Sequence, residues 1–226
     1  MTHPKPRTLF FAGTDTDVGK TFVASLAARV FSAAGKKVGV YKPVASGCRL
    51  DNGELVADDA LSLWNAAGKP RALHDVCPQR FREPLAPPEA AAAEGKQVDP
   101  RQLVDGYRCW EDNFDVVIVE GAGGLFSPLA DGMLNVDLAA KLSAPVVIVA
   151  ANRLGVIHQT LAVCEAAANR GLKPIGVVLC DTTGQADASS TSNAAQIERY
   201  CPIPVIGSIP FAANVDEARF LDSLLA

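Results

Sequence analysis

Short, strongly apolar runs alternate along the chain with longer Ala-rich stretches in which apolar residues recur at helical spacing. Thr8–Ala12 (TLFFA), Val38–Tyr41, Asp115–Glu120 (DVVIVE), Val146–Ala150, Ile175–Leu179 and Pro204–Ile209 predict strands. They are short and mostly β-branched or aromatic, and apolar on successive positions rather than alternate ones, as in strands covered on both faces. Between them the pattern predicts helices over Lys20–Ala34, Val56–Ala67, Pro100–Glu111, Val136–Leu142, His158–Arg170, Ser190–Tyr200 and Asn214–Leu225. Gly35, Gly68 and Gly171 stand at the expected stops, and Asp99-Pro100 supplies a cap followed by proline at the first helical position. Pro70–Pro88 reads as irregular with a short edge strand, and Pro84–Gly95 as a loop plus a helical turn. Trp64 and Trp110 fall at helical positions and read as packing residues. Repeated strand–helix alternation predicts an α/β fold, one domain over 1–226, with a mostly parallel central sheet, helices on both faces and right-handed crossovers.

Composition narrows the function classes. At 226 residues and 49% hydrophobic, the chain can bury a large core. A net charge of −4 argues against a general binder of nucleic acid or anionic membrane. No apolar run reaches the roughly 18–20 residues a membrane span needs. The polar, basic start at Met1–Thr8 does not read as a signal peptide. Cys48, Cys77, Cys109, Cys164, Cys180 and Cys201 form no C-x-x-C pair and have no His at zinc spacing. They are expected to be reduced thiols in a cytoplasmic protein.

The chemistry concentrates at strand ends. Gly13–Thr21 (GTDTDVGKT) joins the first strand to the first helix. Glycine lets backbone N–H groups approach a phosphate, and the following helix N-terminus adds positive dipole. Lys20 is placed to reach β- and γ-phosphates and the Thr21 hydroxyl to ligate Mg²⁺, although the first glycine stands one residue earlier than in G-x-x-x-x-G-K-[ST]. In an open parallel sheet, ligands sit outside the carboxyl ends of the strands. Ala12, Lys42 and Glu120 are therefore expected to converge, with Glu120 holding Mg²⁺ and Lys42 offsetting charge during phosphoryl transfer. Asp58-Asp59 heads a helix; capping explains one of the two carboxylates, and the other is a second Mg²⁺ candidate. Gly121-Ala122-Gly123-Gly124 permits close backbone approach to a ligand.

These motifs together resemble the dethiobiotin synthetase family of P-loop NTPase folds. The resemblance runs through nearly the whole chain, on GTDTDVGKT at Gly13–Thr21, KPVASG at Lys42–Gly47, DALSL at Asp59–Leu63, EGAGGLFSPL at Glu120–Leu129, Leu154-Gly155 and IPF at Ile209–Phe211. It implies an ATP- and Mg²⁺-dependent enzyme that makes dethiobiotin from 7,8-diaminononanoate and CO₂. It implies that Asp17, Val18, Gly19, Lys20, Thr21 and Phe22 wrap the nucleotide phosphates, and that Thr21, Asp59 and Glu120 hold Mg²⁺. Thr16, Lys42 and Ser46 are implied at the carbamate or diamine, Thr16 and the two lysines forming the catalytic set. Gly121, Ala122, Gly123 and Gly124 are implied along the phosphate and substrate side, and Cys180, Asp181, Pro210, Phe211 and Ala212 near the base or ribose. The family is a homodimer with substrate at the subunit interface, so Leu154, Gly155 and His158 are implied to act on the neighbouring chain's site. The resemblance implies no nucleic-acid or membrane partner.

Three positions depart from the family pattern. Cys180-Asp181 replaces an Asn-Asp pair that reads adenine, His158 replaces an Asn near the substrate carboxylate, and Asp17 stands where Glu is frequent. Phe81–Pro88 matches the family's E-P-x-x-P segment, which covers the site. Two other readings share the phosphate loop. A cobyrinate-type amidotransferase synthetase would normally continue into a glutaminase domain, and a length of 226 residues disfavours it. A partitioning-type switch ATPase would carry a lysine early in the loop, where this chain has Gly13-Thr-Asp-Thr-Asp, and its last helix would be basic rather than carry Asp216, Glu217 and Asp222.

Overall fold

The computed structural model describes residues 5–172, 174–185 and 187–225. In chain order the first elements are β1 (Arg7–Gly13), α1 (Lys20–Ala33), β2 (Val38–Tyr41), β3 (Val44–Ala45), β4 (Arg49–Asp51), β5 (Glu54–Val56), α2 (Asp58–Ala66), α3 (Leu73–Val76), β6 (Gln79–Arg80), α4 (Pro87–Ala93) and α5 (Pro100–Asp105). A 3₁₀ turn over Gly106–Trp110 leads to β7 (Val116–Gly124), β8 (Pro128–Ala130), β9 (Met133–Leu134), α6 (Asn135–Lys141), β10 (Val146–Ala151), α7 (Val156–Asn169), β11 (Gly176–Cys180), α8 (Ser190–Tyr200) and β12 (Val205–Ile209). The chain then ends in a 3₁₀ helix, Arg219–Leu225.

Six strands form a wholly parallel sheet in the order β12-β11-β10-β1-β7-β2. β1 lies in the middle, with Phe10 opposite Val119 on one side and Val146 on the other. From β1 the chain runs out to the β2 edge and back; from β10 it builds in the opposite direction. Right-handed crossovers in opposite directions put α1 and α7 on opposite faces. The carboxyl end of β1 is thus the switch point where a ligand crevice opens. Leu9, Phe10, Phe11, Val117, Ile118, Val147, Ile148 and Val178 are fully buried, as continuous apolar runs in a doubly covered sheet require.

Five local expectations are corrected. The terminal segment is not an α-helix over Asn214–Leu225 but a capped turn followed by 3₁₀. Asn214 Oδ1 accepts from Asp216 and Glu217 N–H, while Ala218, Leu221 and Leu224 are the buried residues. Those three are spaced by three, and a 3₁₀ helix aligns i and i+3 where an α-helix would rotate them off the core. The expected Pro100–Glu111 helix breaks at Gly106. There the Tyr41 hydroxyl donates, in a shared bond, to the carbonyls of Gln102 and Leu103, and a Cβ on Gly106 would sit 2.5 Å from the same hydroxyl. Val56 belongs to the β4–β5 hairpin, so α2 starts at Asp58. The expected edge strand of the Pro-rich segment is β6, but it pairs with β3 and not with the main sheet. Finally, β7 runs on through Gly121–Gly124, where only a loop was expected, and Gly13 and Gly124 pair after a register shift. Trp110 is fully buried; half-buried Trp64 donates its Nε1–H to the Arg71 carbonyl at 3.2 Å. The six cysteines are free thiols, five of them buried.

Candidate active site

The loop after β1 folds back on itself because its first residue has no side chain. A Cβ on Gly13 would lie 2.4 Å from the Asp15 carbonyl oxygen and 2.9 Å from Val18 Cγ2. Val18 is buried and anchors the loop from below. Asp17 at φ 57° and Gly19 at φ 88° turn the chain into α1. Gly19 caps α1 with no side-chain hydrogen bond, and the first turn carries no acidic residue. The unpaired N–H groups and the positive end of the helix dipole are left for an anion.

Two lysines with different environments meet here. Lys42 leaves the end of β2 and is 3% exposed. Its Nζ donates to Glu120 Oε1 at 2.6 Å, to Asp59 Oδ2 at 2.9 Å and to the Gly121 carbonyl at 3.3 Å. Burial alone would lower its pKa, but Glu120 and Asp59 overcome that and raise it above the ordinary lysine value. Lys20, the first residue of α1, is nearly buried, and burial is the main reason its pKa is lowered; Glu120 opposes the shift and Lys42 adds to it. Lys42, and not Lys20, pairs with the carboxylates. Lys20 has no carboxylate within ion-pair distance among the described residues, so its charge faces an incoming phosphate directly.

The carboxylates fit a small divalent cation. Glu120 is fully buried at the end of the regular part of β7, and its Oε1 also accepts from the Thr21 hydroxyl at 2.8 Å. Its Oε2 is buried without a partner among the described residues. Asp59 lies nearby at the head of α2, its pKa lowered chiefly by Lys42. Asp58 is exposed and pairs with Arg49 at 2.9 Å, so neither residue caps the helix; the cap position is Ala57. No group of three or more His, Cys, Asp or Glu suited to a metal occurs among the described residues. Two carboxylates and a hydroxyl are nonetheless what Mg²⁺ takes when phosphate oxygens and water complete its octahedron. Thr21, Asp59 and Glu120 therefore fit such an ion.

A crevice of about 1070 Å³ joins these groups. Of the residues expected from sequence, Thr16, Asp17, Gly19, Lys20, Thr21, Phe22, Lys42, Ser46, Asp59, Ala122, Gly123, Cys180, Asp181, Phe211 and Ala212 line it. Glu120 lies behind Lys42; Val18, Gly121, Gly124 and Pro210 are in neighbouring backbone and present no side chain to the crevice. Leu154, Gly155 and His158 do not reach it within one chain. Leu154 is 82% exposed at the turn before α7, its N–H held by Asp187 Oδ2 at 3.0 Å, and His158 is exposed one turn into the helix.

The strap expected to cover the site is there. Pro84, Leu85, Ala86 and Pro87 form one wall, and Cys48 N–H to Phe81 O and Gly47 N–H to Glu83 O, both at 2.9 Å, zip it to the KPVASG segment. At the other end, Phe211 packs on Gly184, where a Cβ would be 2.9 Å from the ring. Cys180 turns its sulfur under the phosphate loop, 2.6 Å from where a Gly19 Cβ would be, and burial pushes the thiol up to about 11. Cys180, where the resemblance leads one to expect an Asn, thus packs against the phosphate loop. Sequence reasoning gave no role to Ser127, Pro128 or Thr182, which also line the crevice. Ser127 was legible in retrospect as the hydroxyl three residues after Gly124, whose N–H its Oγ accepts at 2.9 Å.

Known proteins resemble the chain at two levels. A profile described as AAA domain matches residues 7–219. An ATP-dependent dethiobiotin synthetase of Rhodopirellula baltica is 46% identical over 211 residues, 88% of this chain and 82% of the relative. Its counterpart in Anaeromyxobacter dehalogenans is 40% identical over 221 residues, 97% of each chain. Among solved structures, the cell division ATPase MinD of Pyrococcus furiosus matches with TM-score 0.54 and 17% identity over 96% of this chain and 98% of that one. The signal recognition particle receptor FtsY of Elizabethkingia anophelis matches with TM-score 0.52 and 17% identity, over 98% of this chain and 66% of that one. At that identity the two structures speak for the fold alone. The chain belongs to the ATP-dependent dethiobiotin synthetase family.

Proposed function

We propose that the protein closes a cyclic urea: it carboxylates 7,8-diaminononanoate with CO₂ and uses ATP to seal the ring, releasing dethiobiotin, ADP and phosphate. The observation that carries this reading is the meeting of Lys20 and Lys42 with Thr21, Asp59 and Glu120 at one crevice. One substrate amine adds to CO₂ and loses a proton, giving a carbamate. A carbamate is anionic and a poor electrophile, so the second amine cannot displace oxide from it. Its oxygen instead attacks the γ-phosphorus, ADP departs, and the resulting carbamic-phosphoric anhydride has phosphate as its leaving group. The second amine then closes the ring on the carbonyl carbon.

The chain's residues answer the electrostatic problem of bringing carbamate and γ-phosphate into bonding reach. Lys20 binds across the β- and γ-phosphates together with the N–H groups of Asp17–Phe22. Lys42 sits between the carbamate and the transferred phosphoryl group, while Thr16 and Ser46 orient the carbamate or diamine. Mg²⁺ on Thr21, Asp59 and Glu120 would supply further neutralisation of phosphate oxygens. An alkyl amine with a lysine-like pKa of about 10 is mostly protonated at neutral pH; a site with two ammonium groups and little water favours the neutral, nucleophilic form. Cys180, Asp181, Pro210, Phe211 and Ala212 surround the base and ribose. The exposed Leu154, with Gly155 and His158, is assigned to the substrate end of a neighbouring chain's crevice in a homodimer. No helix among the described residues is long and apolar enough to cross a membrane, which suits a cytoplasmic enzyme of small molecules.

The test is ADP release that requires Mg²⁺, 7,8-diaminononanoate and bicarbonate together, with dethiobiotin identified by mass. Hydrolysis indifferent to the diamine but stimulated by lipid vesicles or DNA would replace this reading with a switch ATPase.

A further inference from the structure

Asn135 lies outside the sequence motifs of the site, yet it is fully buried directly behind the glycine segment of β7. Its Nδ2 donates to the carbonyls of Ala122 at 2.7 Å, Gly124 at 2.8 Å and Ser127 at 3.1 Å, and its Oδ1 accepts from the Ala122 N–H at 3.1 Å. Two amide hydrogens thus serve three acceptors, and the fourth bond uses the carbonyl end. A buried primary amide is costly unless all of it is matched. Here the match is with one short segment only.

The fold explains why that segment needs it. β2 pairs with β7 only as far as Tyr41 opposite Val119. Beyond that point β7 has lost its outer neighbour, and the carbonyls on that side would be left unpaired. Asn135 takes the place of the missing strand. A side chain on Gly121 is excluded for the same reason, because its Cβ would fall 2.3 Å from Asn135 Oδ1.

The consequence reaches the crevice. In a trans peptide, C=O and the following N–H point in opposite directions. Turning the Ala122 carbonyl toward Asn135 turns the Gly123 N–H the other way, and Gly123 lines the crevice beside Thr16, whose Oγ1 is 3.7 Å from where a Gly123 Cβ would be. Gly123 at φ 70° is a conformation other residues adopt with strain.

We propose that Asn135 is a positioning residue whose amide sets the peptide orientations of Ala122–Gly124 and so aims the Gly123 N–H at the anionic groups in the crevice. The proposal rests on the function proposed above for the identity of those anions. Fixed backbone donors of this kind change rate more than affinity, and removing one costs on the order of 10²–10³ in kcat. A displaced loop that still visits the correct geometry should lose less, roughly 10–100-fold.

Asn135→Asp and Asn135→Leu keep the side-chain size but remove the Nδ2 donors. Both should leave the Kd for ADP with Mg²⁺ within about twofold of wild type while kcat falls roughly 10–100-fold. A merely structural residue would lower the folded fraction without changing kcat per folded molecule, and that result overturns the proposal. So does a parallel loss of ADP affinity and kcat. If neither variant folds, hydrogen exchange at Gly123 in the wild-type protein decides. The amide should exchange more slowly when ADP, Mg²⁺ and inorganic phosphate fill the crevice; exchange equal with and without them overturns the assignment. Absence of dethiobiotin formation by the wild type would count against the function alone, since the exchange measurement needs only ADP and phosphate.

Discussion

Glu120→Gln tests the charge arrangement on which the site depends. Lys42 is 3% exposed and Glu120 0%, with 2.6 Å between Nζ and Oε1, whereas Asp59, the second partner at 2.9 Å, is 52% exposed. A half-exposed partner is screened and is worth at most about 1 kcal/mol, so Glu120 carries most of the compensation for burying the Lys42 charge. Removing one member of a buried pair costs about 3–5 kcal/mol, and Gln retains a hydrogen-bond acceptor, which places this variant near the lower end, about 3 kcal/mol. The assay is urea unfolding without nucleotide or Mg²⁺. The sign of the pH dependence is a second constraint. In the wild type the Lys42 pKa is raised above 10.5, so its contribution is complete below that value and is lost only as pH climbs through the higher folded value. In the wild type burial is the largest single influence and is overcome by Glu120 and Asp59 together; with Glu120→Gln only the half-exposed Asp59 opposes it, and the folded value is expected to fall below 10.5. The penalty for a charged Lys42 is then full below that lowered value and fades as pH rises from it toward 10.5, so the gap to wild type narrows as pH climbs through that interval. Adding Lys42→Met to Glu120→Gln should restore about half of the loss or more, because no uncompensated charge remains. A gap under about 1 kcal/mol, a gap that widens with pH, or a double variant no better than the single one would refute the argument.

Further predictions concern binding and packing. Because burial lowers the Lys20 pKa, its charge is lost as pH rises through a value below 10.5; ATP affinity measured across pH should weaken on an alkaline limb that sets in before pH 10.5, and Lys20→Arg should remove the limb. Gly19→Ala must hold φ 88° and place a methyl 2.6 Å from Cys180 Sγ, so nucleotide binding by calorimetry should weaken by roughly 100-fold, about 2.7 kcal/mol. Chelation of divalent ions should abolish ADP release, and Asp59→Asn should raise the Mg²⁺ concentration for half-maximal rate by about tenfold, about 1.4 kcal/mol in ion affinity. With Cys180 turned toward Gly19, a panel of ATP, GTP and CTP should show kcat/KM values within about tenfold of one another; a sharp ATP preference would place base reading in other residues.

Much of the fold was legible because the six sheet strands announce themselves. Val116–Val119 and Val146–Ala150 are apolar at every position, which is the mark of burial on both faces. What the pattern does not carry is contact between distant segments. The break at Gly106 follows from a Tyr41 hydroxyl some sixty residues away, and the 3₁₀ geometry of Arg219–Leu225 follows from which side chains the sheet accepts. The β4–β5 hairpin escaped for a different reason. Arg49–Asp51 is wholly exposed, in Glu54–Val56 only the adjacent Leu55 and Val56 are half-buried, and the turn is made by Asn52 at φ 49° and Gly53 at φ 87°, leaving no apolar alternation to signal strands.

The site divides along the same line. Lys20, Thr21, Lys42 and Glu120 were legible because strand ends converge by topology and because charge at the end of an apolar strand is conspicuous. Asn135 was not, since one amide at the start of a helix looks like an ordinary cap until the carbonyls it serves are known. The chemical groups of this site are therefore written locally in the chain, but their orientation is written in tertiary contacts: Asn135 on the Gly121–Gly124 segment, Cys180 against Gly19, and Phe81–Glu83 zipped to Ala45–Cys48. Substitutions at these supporting positions should accordingly alter rate or selectivity while every residue that meets the substrates is unchanged, and it is at such positions that members of one family with the same motifs can diverge.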